Sequence, residues 1–358
     1  MKSLRIGLIG AGRISDLHVP GYQAHQSAEI FAVCDPASGV AKRRASEWNA
    51  TRYYTDYRDL LDDVEVDAVE ILTPHNQHAP IAIAALNAGK HTSVQKPMCL
   101  SLVEADQIID AAQRSNRVFR VIENFRYYQP LVKAKELLDA GAIGEPLAIR
   151  IKGMQGTANN DWVVPEDTLK WRFDTKQSGG GRIVFDYSHH MFATALHLLG
   201  PIERVVAWIG ETENSKEQIQ DSPLMMMWKY MDDSKHGSLE VLTSEELVIR
   251  TDYYPNDEWF EISGTRGFIW VNRCSGKVID KAPVALYTDG QFSEIGLKDI
   301  EWDWADSFRS GTIDFVDAIL EHRQPPLSAL DAREVIKFAR AAQMSSREHR
   351  EVRMEEIA

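Results

Sequence analysis

Apolar and polar positions follow two different rhythms along the 358 residues. Over the first third, short apolar runs alternate with longer amphipathic stretches. Leu4–Ile9, Ile30–Cys34, Ala68–Leu72, Thr92–Val94 and Val118–Ile122 read as buried strands. Between them, helical patterns run on to His25, to Trp48, over Gln77–Ala88 as far as Gly89, and from Ser101 to about Ser115. Ser101 and Glu104 form an S-x-x-E capping box at the start of that last helix. Strands separated by helices of this length make βαβ units and a parallel sheet.

The texture changes near Pro130. A helix over Leu131–Ala140 ends at Gly141, and longer, more polar strands follow, with turn signals at 144–146, 254–257 and 263–267. The alternation in "EVLTSEELVIRTDYY" predicts antiparallel strands with one exposed face. "LMMMW" at 224–228 reads as a buried strand. Two helices close the chain, Trp304–Glu321 and Leu330–Ser346, the second capped by Ser328 with Asp331 three residues on. The expected organisation is an α/β domain over 1–124 and an α+β domain over 125–358 with a large, mostly antiparallel sheet.

Composition narrows the partners. Fifty-three acidic against forty basic residues leave a net charge of −13, which argues against a phosphate-backbone partner. No apolar run approaches the ~20 residues of a membrane span, and "MKSLRIGLIGAG" enters the first strand at once, so neither membrane insertion nor a signal peptide is expected. The three cysteines, Cys34, Cys99 and Cys274, are widely spaced with no C-x-x-C pair, which suits a reducing cytoplasm.

The chemistry begins at "GLIGAGRIS". Gly10 and Gly12 follow a strand and precede a helix, with Ser15 at the third position of a dinucleotide fingerprint. Glycines let a backbone turn tightly and approach a pyrophosphate, which then rests on the helix N-terminus. Asp35 closes the second strand, where an acid binds both hydroxyls of an adenosine ribose and repels a 2′-phosphate. The pattern predicts NAD rather than NADP, although Arg43 and Arg44 stand nearby. An ordinary α/β turn with a surface aspartate is the competing reading.

Ligands of open α/β sheets bind beyond the carboxyl ends of the strands. Along that edge the sequence sets Gly10, Gly12, Arg13 and Ile14, then Asp35, then Thr73-Pro74-His75-Asn76-Gln77-His78, then Gln95 and Lys96, then Glu123-Asn124. Position alone leaves Lys96 as either a catalytic or a solvated lysine. A second polar cluster lies in "GGGRIVFDYSHHMFATALHLLG", where Asp186 and His190 are four apart. On one helix face, a carboxylate can fix an imidazole's tautomer and raise its basicity, as a general base requires. The alternative is an N-capping aspartate beside a packed histidine.

Taken in order, the glycine turn with Asp35, "TPHNQHAPIAIAALNAGKHTSVQKP", "NFRYYQP", "LKWRFD" and "GGGxxxxDxxxH" resemble the Gfo/Idh/MocA family over essentially the whole chain. The resemblance implies an N-terminal Rossmann domain and a C-terminal α+β domain with an open sheet. It also implies NAD(P)-dependent hydride transfer on sugars, polyols or glycosides, and a homo-oligomer, dimer or tetramer, joined through that sheet. By the same resemblance the family's E-K-P lysine falls on Lys96, and its D-x-x-x-H pair on Asp186 and His190. His190 would take the proton of a secondary hydroxyl, Lys96 would stabilise the charge developing on that oxygen, and Asp186 would orient one or the other. The Lys96–Pro97 bond is expected to be cis. Trp171 and Arg172 join the cofactor-contacting set, with Thr73, Pro74, Asn76, His78, Gln95 and Asn124; Tyr127, Trp171 and His189 are candidates for lining the substrate pocket.

Three departures limit the transfer: Gln95 replaces the motif glutamate, Ser188 replaces a glycine, and Ala193 replaces an aspartate one turn beyond His190. His75, His78, His91, His189 and His190 lack the tight Cys/His spacing of a structural zinc site, and no metal is expected. Tyr128 and Trp162 read as packing residues as readily as sugar-stacking ones. Two other functions compete with a simple dehydrogenase: a glycoside-processing enzyme that oxidises C3 and recycles tightly held NAD, and a nonenzymatic NAD sensor.

Overall fold

The computed structural model describes residues 3–272, 274–296 and 303–358. The chain divides into two compact units. The first is built on six parallel strands in the order β3-β2-β1-β4-β5-β6: β1 (Leu4–Ile9), β2 (Ala28–Cys34), β3 (Arg52–Tyr54), β4 (Ala68–Ile71), β5 (His91–Gln95) and β6 (Phe119–Ile122). Helices α1 (Ser15–Ala24), α2 (Ser38–Glu47), α3 (Tyr57–Asp62), α4 (His78–Asn87) and α5 (Leu102–Ser115) connect them. The strands are buried on both faces, which explains their continuous apolar runs. The short pair β3 and α3 carries too few apolar positions to show in the sequence pattern.

Beyond Ile122 come α6 (Gln129–Asp139), β7 (Pro146–Thr157), α7 (Thr175–Ser178) and α8 (His189–Leu199). The second unit holds a nine-stranded mixed sheet. Its other strands are β8 (Ile202–Ile209), β11 (Leu224–Tyr230), β12 (His236–Val248), β13 (Asn256–Gly264), β14 (Gly267–Val271), β15 (Val284–Thr288), β16 (Gln291–Ile295) and β17 (Val352–Arg353), while β9 (Thr212–Glu213) and β10 (Ile219–Gln220) pair separately. All neighbours in the large sheet are antiparallel except β7 and β12. Of the stretch read as strands from Glu240 to Tyr254, Glu240–Val248 is the second half of β12 and the rest lies outside any strand. Helices α9 (Trp304–Leu320) and α10 (Ala329–Glu348) follow, and Ser328 and Asp331 exchange the expected capping bonds at 3.1 and 2.8 Å. Among the described residues, no helix is long and apolar enough to cross a membrane.

One face of the large sheet is covered. Phe338 of α10 packs on Phe192 of α8 and on Trp228, at ring separations of 4.7 and 5.3 Å. Among the described residues, the opposite face is exposed. Met225 and Met227 alternate with buried Leu224 and Met226, so the methionine run is a half-exposed strand rather than the fully buried one expected. Two exposed apolar groups lie on this face, Met225, Met227 and Trp208 towards one edge and Phe268, Tyr287 and Phe292 towards the other, with Glu240, Lys152, Arg150 and Glu261 on the strands between.

The first unit runs over Met1–Asn124, Asp174–Gly179 and Ser307–Ile336, whereas the sequence had placed everything after 124 in the second domain. The apolar face of α9 explains the return: Phe315, Val316 and Ile319 join Ile6, Leu8, Tyr22 and Val33 in one core. Gly21 of α1 lets the helices touch, since a Cβ there would lie 2.7 Å from the Arg309 carbonyl oxygen.

Candidate functional site

In the first unit, β1 ends at Ile9 and the chain must reverse into α1. Gly10 makes the reversal at φ +92°, and a Cβ there would lie 2.6 Å from the Leu72 carbonyl oxygen, so no larger residue fits. Gly12 is exposed, with open space where a Cβ would be, so its backbone is accessible to an approaching group. Asp35 stands at the end of β2. Its carboxylate accepts from the Ala11 amide at 3.1 Å and from the Ala37 amide at 2.9 Å. The glycine turn and the acid are thereby held together, and the carboxylate keeps lone pairs for two further donors. Arg44, a possible phosphate partner by sequence, is engaged by Asp16 at 2.9 Å and Glu47 at 2.9 Å.

Two strand ends along the same edge carry the other sequence-chosen residues. Thr73, Pro74 and Asn76 lie half-buried in the loop after β4, and Gln95 and Lys96 end β5. The Lys96–Pro97 peptide is cis. His78 links the two loops: its ring nitrogens lie 2.7 Å from the Pro97 carbonyl and 2.8 Å from the Thr73 carbonyl, and the side chain is wholly buried. Both nitrogens serve the loops. Asn124 is also buried, and its amide donates to Ser307 Oγ at 2.9 Å.

In the second unit, the segment Arg182–Tyr187 winds as a π-helix, closed by amide-to-carbonyl bonds such as Ser188 to Ile183 at 2.8 Å. Such turns re-aim side chains and are frequent at functional sites. Asp221 caps it by accepting from the Ile183 and Val184 amides at 2.8 and 2.7 Å. Gly181 makes room, because a Cβ would lie 2.2 Å from the Asp221 carboxylate. The turn delivers buried Asp186 and His189, and half-buried His190. Asp186 lies 3.6 Å from the Arg172 guanidinium, and the His190 ring stacks on Phe125 at 4.6 Å with 17° between planes. A flat stack fixes the orientation of the imidazole plane. Trp171 and Arg172 share a single 3₁₀ turn.

A cavity of about 620 Å³ lies within this unit, lined by Gln155, Trp162, Arg172, Arg182, Thr243 and Tyr254 among others. Of these, only Trp162 and Arg172 stood out in the sequence. Gln155, Thr243 and Tyr254 come from different strands or loops, and no local spacing marks them.

Buried polar groups that the sequence reading passed over complete the surroundings. Glu258 lies under the π-turn, accepting from the Tyr187 hydroxyl at 3.1 Å and from the Ser275 hydroxyl and amide at 3.0 and 3.2 Å. Burial, reinforced by Asp257, pushes its carboxyl up to about 7. In the first unit, Glu70 contacts His18, Tyr22 and Arg120. Burial alone would push this carboxyl up, but those contacts outweigh it and hold Glu70 down at about 2.

Two family models match successive parts of the chain. Residues 4–123 match the oxidoreductase family with an NAD-binding Rossmann fold, and residues 131–270 match the GFO/IDH/MocA C-terminal domain. The chain is 25% identical to the myo-inositol 2-dehydrogenase of Thermotoga maritima over 99% of both proteins. It is 33% identical to the levoglucosan dehydrogenase of Pseudarthrobacter phenanthrenivorans over 59% of this chain and 56% of that one. A solved levoglucosan dehydrogenase, in complex with NADH and levoglucosan, has the same fold, with a TM-score of 0.84 at 24% identity over 99% of this chain and 100% of that one.

Proposed function

The chain belongs to the Gfo/Idh/MocA family of oxidoreductases, with an NAD-binding Rossmann fold in its N-terminal part, and we propose that it is a dehydrogenase for a secondary hydroxyl of a sugar, polyol or glycoside. The observation that carries the reading is the strand-end edge of the first unit. A glycine turn tied to the Asp35 carboxylate follows the ends of β1 and β2, and Lys96 follows the end of β5 in the same parallel sheet. The relatives named as inositol and levoglucosan dehydrogenases support the substrate class.

NAD fits this edge. The bare Gly10–Gly12 backbone suits the pyrophosphate, and Asp35 suits the two ribose hydroxyls while repelling a 2′-phosphate. When bound, NAD supplies the hydride acceptor at nicotinamide C4. The chain's own residues handle the proton and the charge. His190, aligned by its stack on Phe125, takes the hydroxyl proton. Lys96 donates to the same oxygen and stabilises the negative charge that builds there as the proton leaves, before the departing hydride carries the electron pair away. Asp186, beside Arg172, orients His190 or an adjacent substrate hydroxyl. The 620 Å³ cavity, with an indole, amides and guanidinium groups in its wall, has the stacking and hydrogen-bonding chemistry for a hydroxylated ring.

The exposed apolar groups on one face of the large sheet support a homo-oligomer, since exposed patches of this kind mark association surfaces. Three free, buried cysteines support a reducing, cytoplasmic setting. The test is a panel of polyols, anhydrosugars and glycosides with NAD and NADP. The expected result is reduced nicotinamide from at least one compound, with NAD favoured by about tenfold or more in kcat/KM. Failure of every compound with either cofactor refutes the reading.

A further inference from the structure

Behind Lys96, a file of polar side chains runs into the interior of the first unit. The Lys96 amide donates to Gln95 Oε1 at 2.8 Å. A backbone N–H can only donate, so the carboxamide oxygen lies on that side and its NH₂ group on the other. That NH₂ group sits 3.0 Å from His18 Nε2. An amide NH₂ also can only donate, so His18 Nε2 carries a lone pair, and the ring proton belongs on Nδ1. Nδ1 in turn makes a bent contact with Glu70 Oε1 at 3.2 Å. The second Glu70 oxygen receives the Tyr22 hydroxyl and, at 3.4 Å, Arg120. Arg120 also donates to Ser93 Oγ at 2.8 Å and to the Gly311 carbonyl. His18, Tyr22 and Glu70 are wholly buried, Arg120 is 1% exposed, and the Phe308 ring lies 5.3 Å from that of His18. The file draws on α1, β4, β5, β6 and α9; its link between His18 Nδ1 and Glu70 Oε1 is a close charged contact rather than a well-aligned hydrogen bond.

We propose that His18 is a positioning residue for Lys96. As the neutral Nδ1–H tautomer it relays the fixed charge of Glu70 to Gln95, which clamps the Lys96 backbone and so aims the ammonium. The arrangement also accounts for glutamine at position 95. A glutamate there offers only acceptors, and facing the Nε2 lone pair it would demand a second ring proton. An imidazolium would then stand between two carboxylates, and the hold on the Lys96 amide would be shared with a new charge. Position 95 and the protonation state of His18 are therefore one coupled choice. The inference rests on the reading of Lys96 as the group that works at the reacting oxygen.

Histidine ¹⁵N resonances of the intact protein, assigned by comparison with His18→Gln, test the tautomer without any substrate. The expected spectrum shows the His18 ring proton on Nδ1 in the wild type and protons on both ring nitrogens in Gln95→Glu. A proton on Nε2 in the wild type, or a neutral ring in Gln95→Glu, overturns the proposal. Kinetics test the consequence. His18→Leu, apolar and of similar volume, should lower kcat by about tenfold or more with the NAD KM within about threefold. His18→Gln, whose amide offers the same donor and acceptor, should recover most of the loss. Should His18→Leu fail to fold, the ¹⁵N spectra of the wild type and Gln95→Glu still decide the proposal. Turnover by His18→Leu within twofold of wild type refutes the positioning role, and equal losses in His18→Leu and His18→Gln do so as well. Absence of turnover in the wild type refutes the dehydrogenase reading instead, and leaves the tautomer result standing.

Discussion

Replacing Glu258 by glutamine should flatten the dependence of stability on pH across the neutral range. Glu258 is 2% exposed and sits beneath the turn that presents Asp186. Burial and then the nearby Asp257 raise its pKa from 4.5 to about 7, against the pull of the Ser275 and Tyr187 donors. The folded protein therefore holds this proton more tightly than the unfolded chain does. Its stabilising contribution is complete below pH 4.5, declines as the unfolded carboxyl ionises, and is gone once pH passes about 7. A rise of that size corresponds to about 3 kcal/mol, of which about 2 falls between pH 5 and 8. Urea unfolding of wild type and Glu258→Gln at several pH values in that interval measures it. At pH 5 the variant should be the less stable by about 1 kcal/mol, because its NH₂ group meets donors where the acid met them with an oxygen. The gap should close or reverse by pH 8. If the two stability curves stay parallel to within about 0.5 kcal/mol, the carboxyl is ionised throughout and the reasoning fails.

Asp35→Asn keeps an oxygen for only one of the Ala11 and Ala37 amides and removes the charge. The NAD KM should rise about tenfold and discrimination against NADP should fall by at least as much, both read from initial rates. Charging the exposed sheet face with Met225→Lys and Phe268→Lys, both exposed positions, should yield a folded monomer by light scattering and circular dichroism; a wild-type monomer would refute that surface's role. Ser101→Ala removes one arm of a capping box whose Glu104 amide-to-hydroxyl bond is 3.2 Å, and should cost about 1 kcal/mol in denaturant unfolding.

Much of the first unit was legible because its signals are local. Continuous apolar runs marked the strands, the S-x-x-E box marked α5, and a glycine turn followed by Asp35 marked the cofactor edge. The second unit was harder to read. Whether Met225 faces solvent depends on what covers the sheet, which no local pattern records. The return of α9 to the first unit rests on pairings such as Arg120 with Gly311, far apart in sequence. The π-turn also escaped notice: D-x-x-x-H looks the same on an α-helix, and only Asp221 with the room at Gly181 winds it wider. Gln95 stood out by resemblance as a departure, but its meaning lay in His18, 77 residues away.

Direct transfer of a hydride between substrate carbon and nicotinamide is the central claim. Its most direct measurement uses a polyol or anhydrosugar that the protein oxidises, deuterated at the carbon that bears the reacting hydroxyl, followed by mass spectrometry of the reduced cofactor. The account predicts that the deuterium arrives on nicotinamide C4 in full, and that the label transfers at a much reduced rate in Lys96→Ala and His190→Ala. Reduced cofactor without the label, or both variants turning over at the wild-type rate, would contradict it.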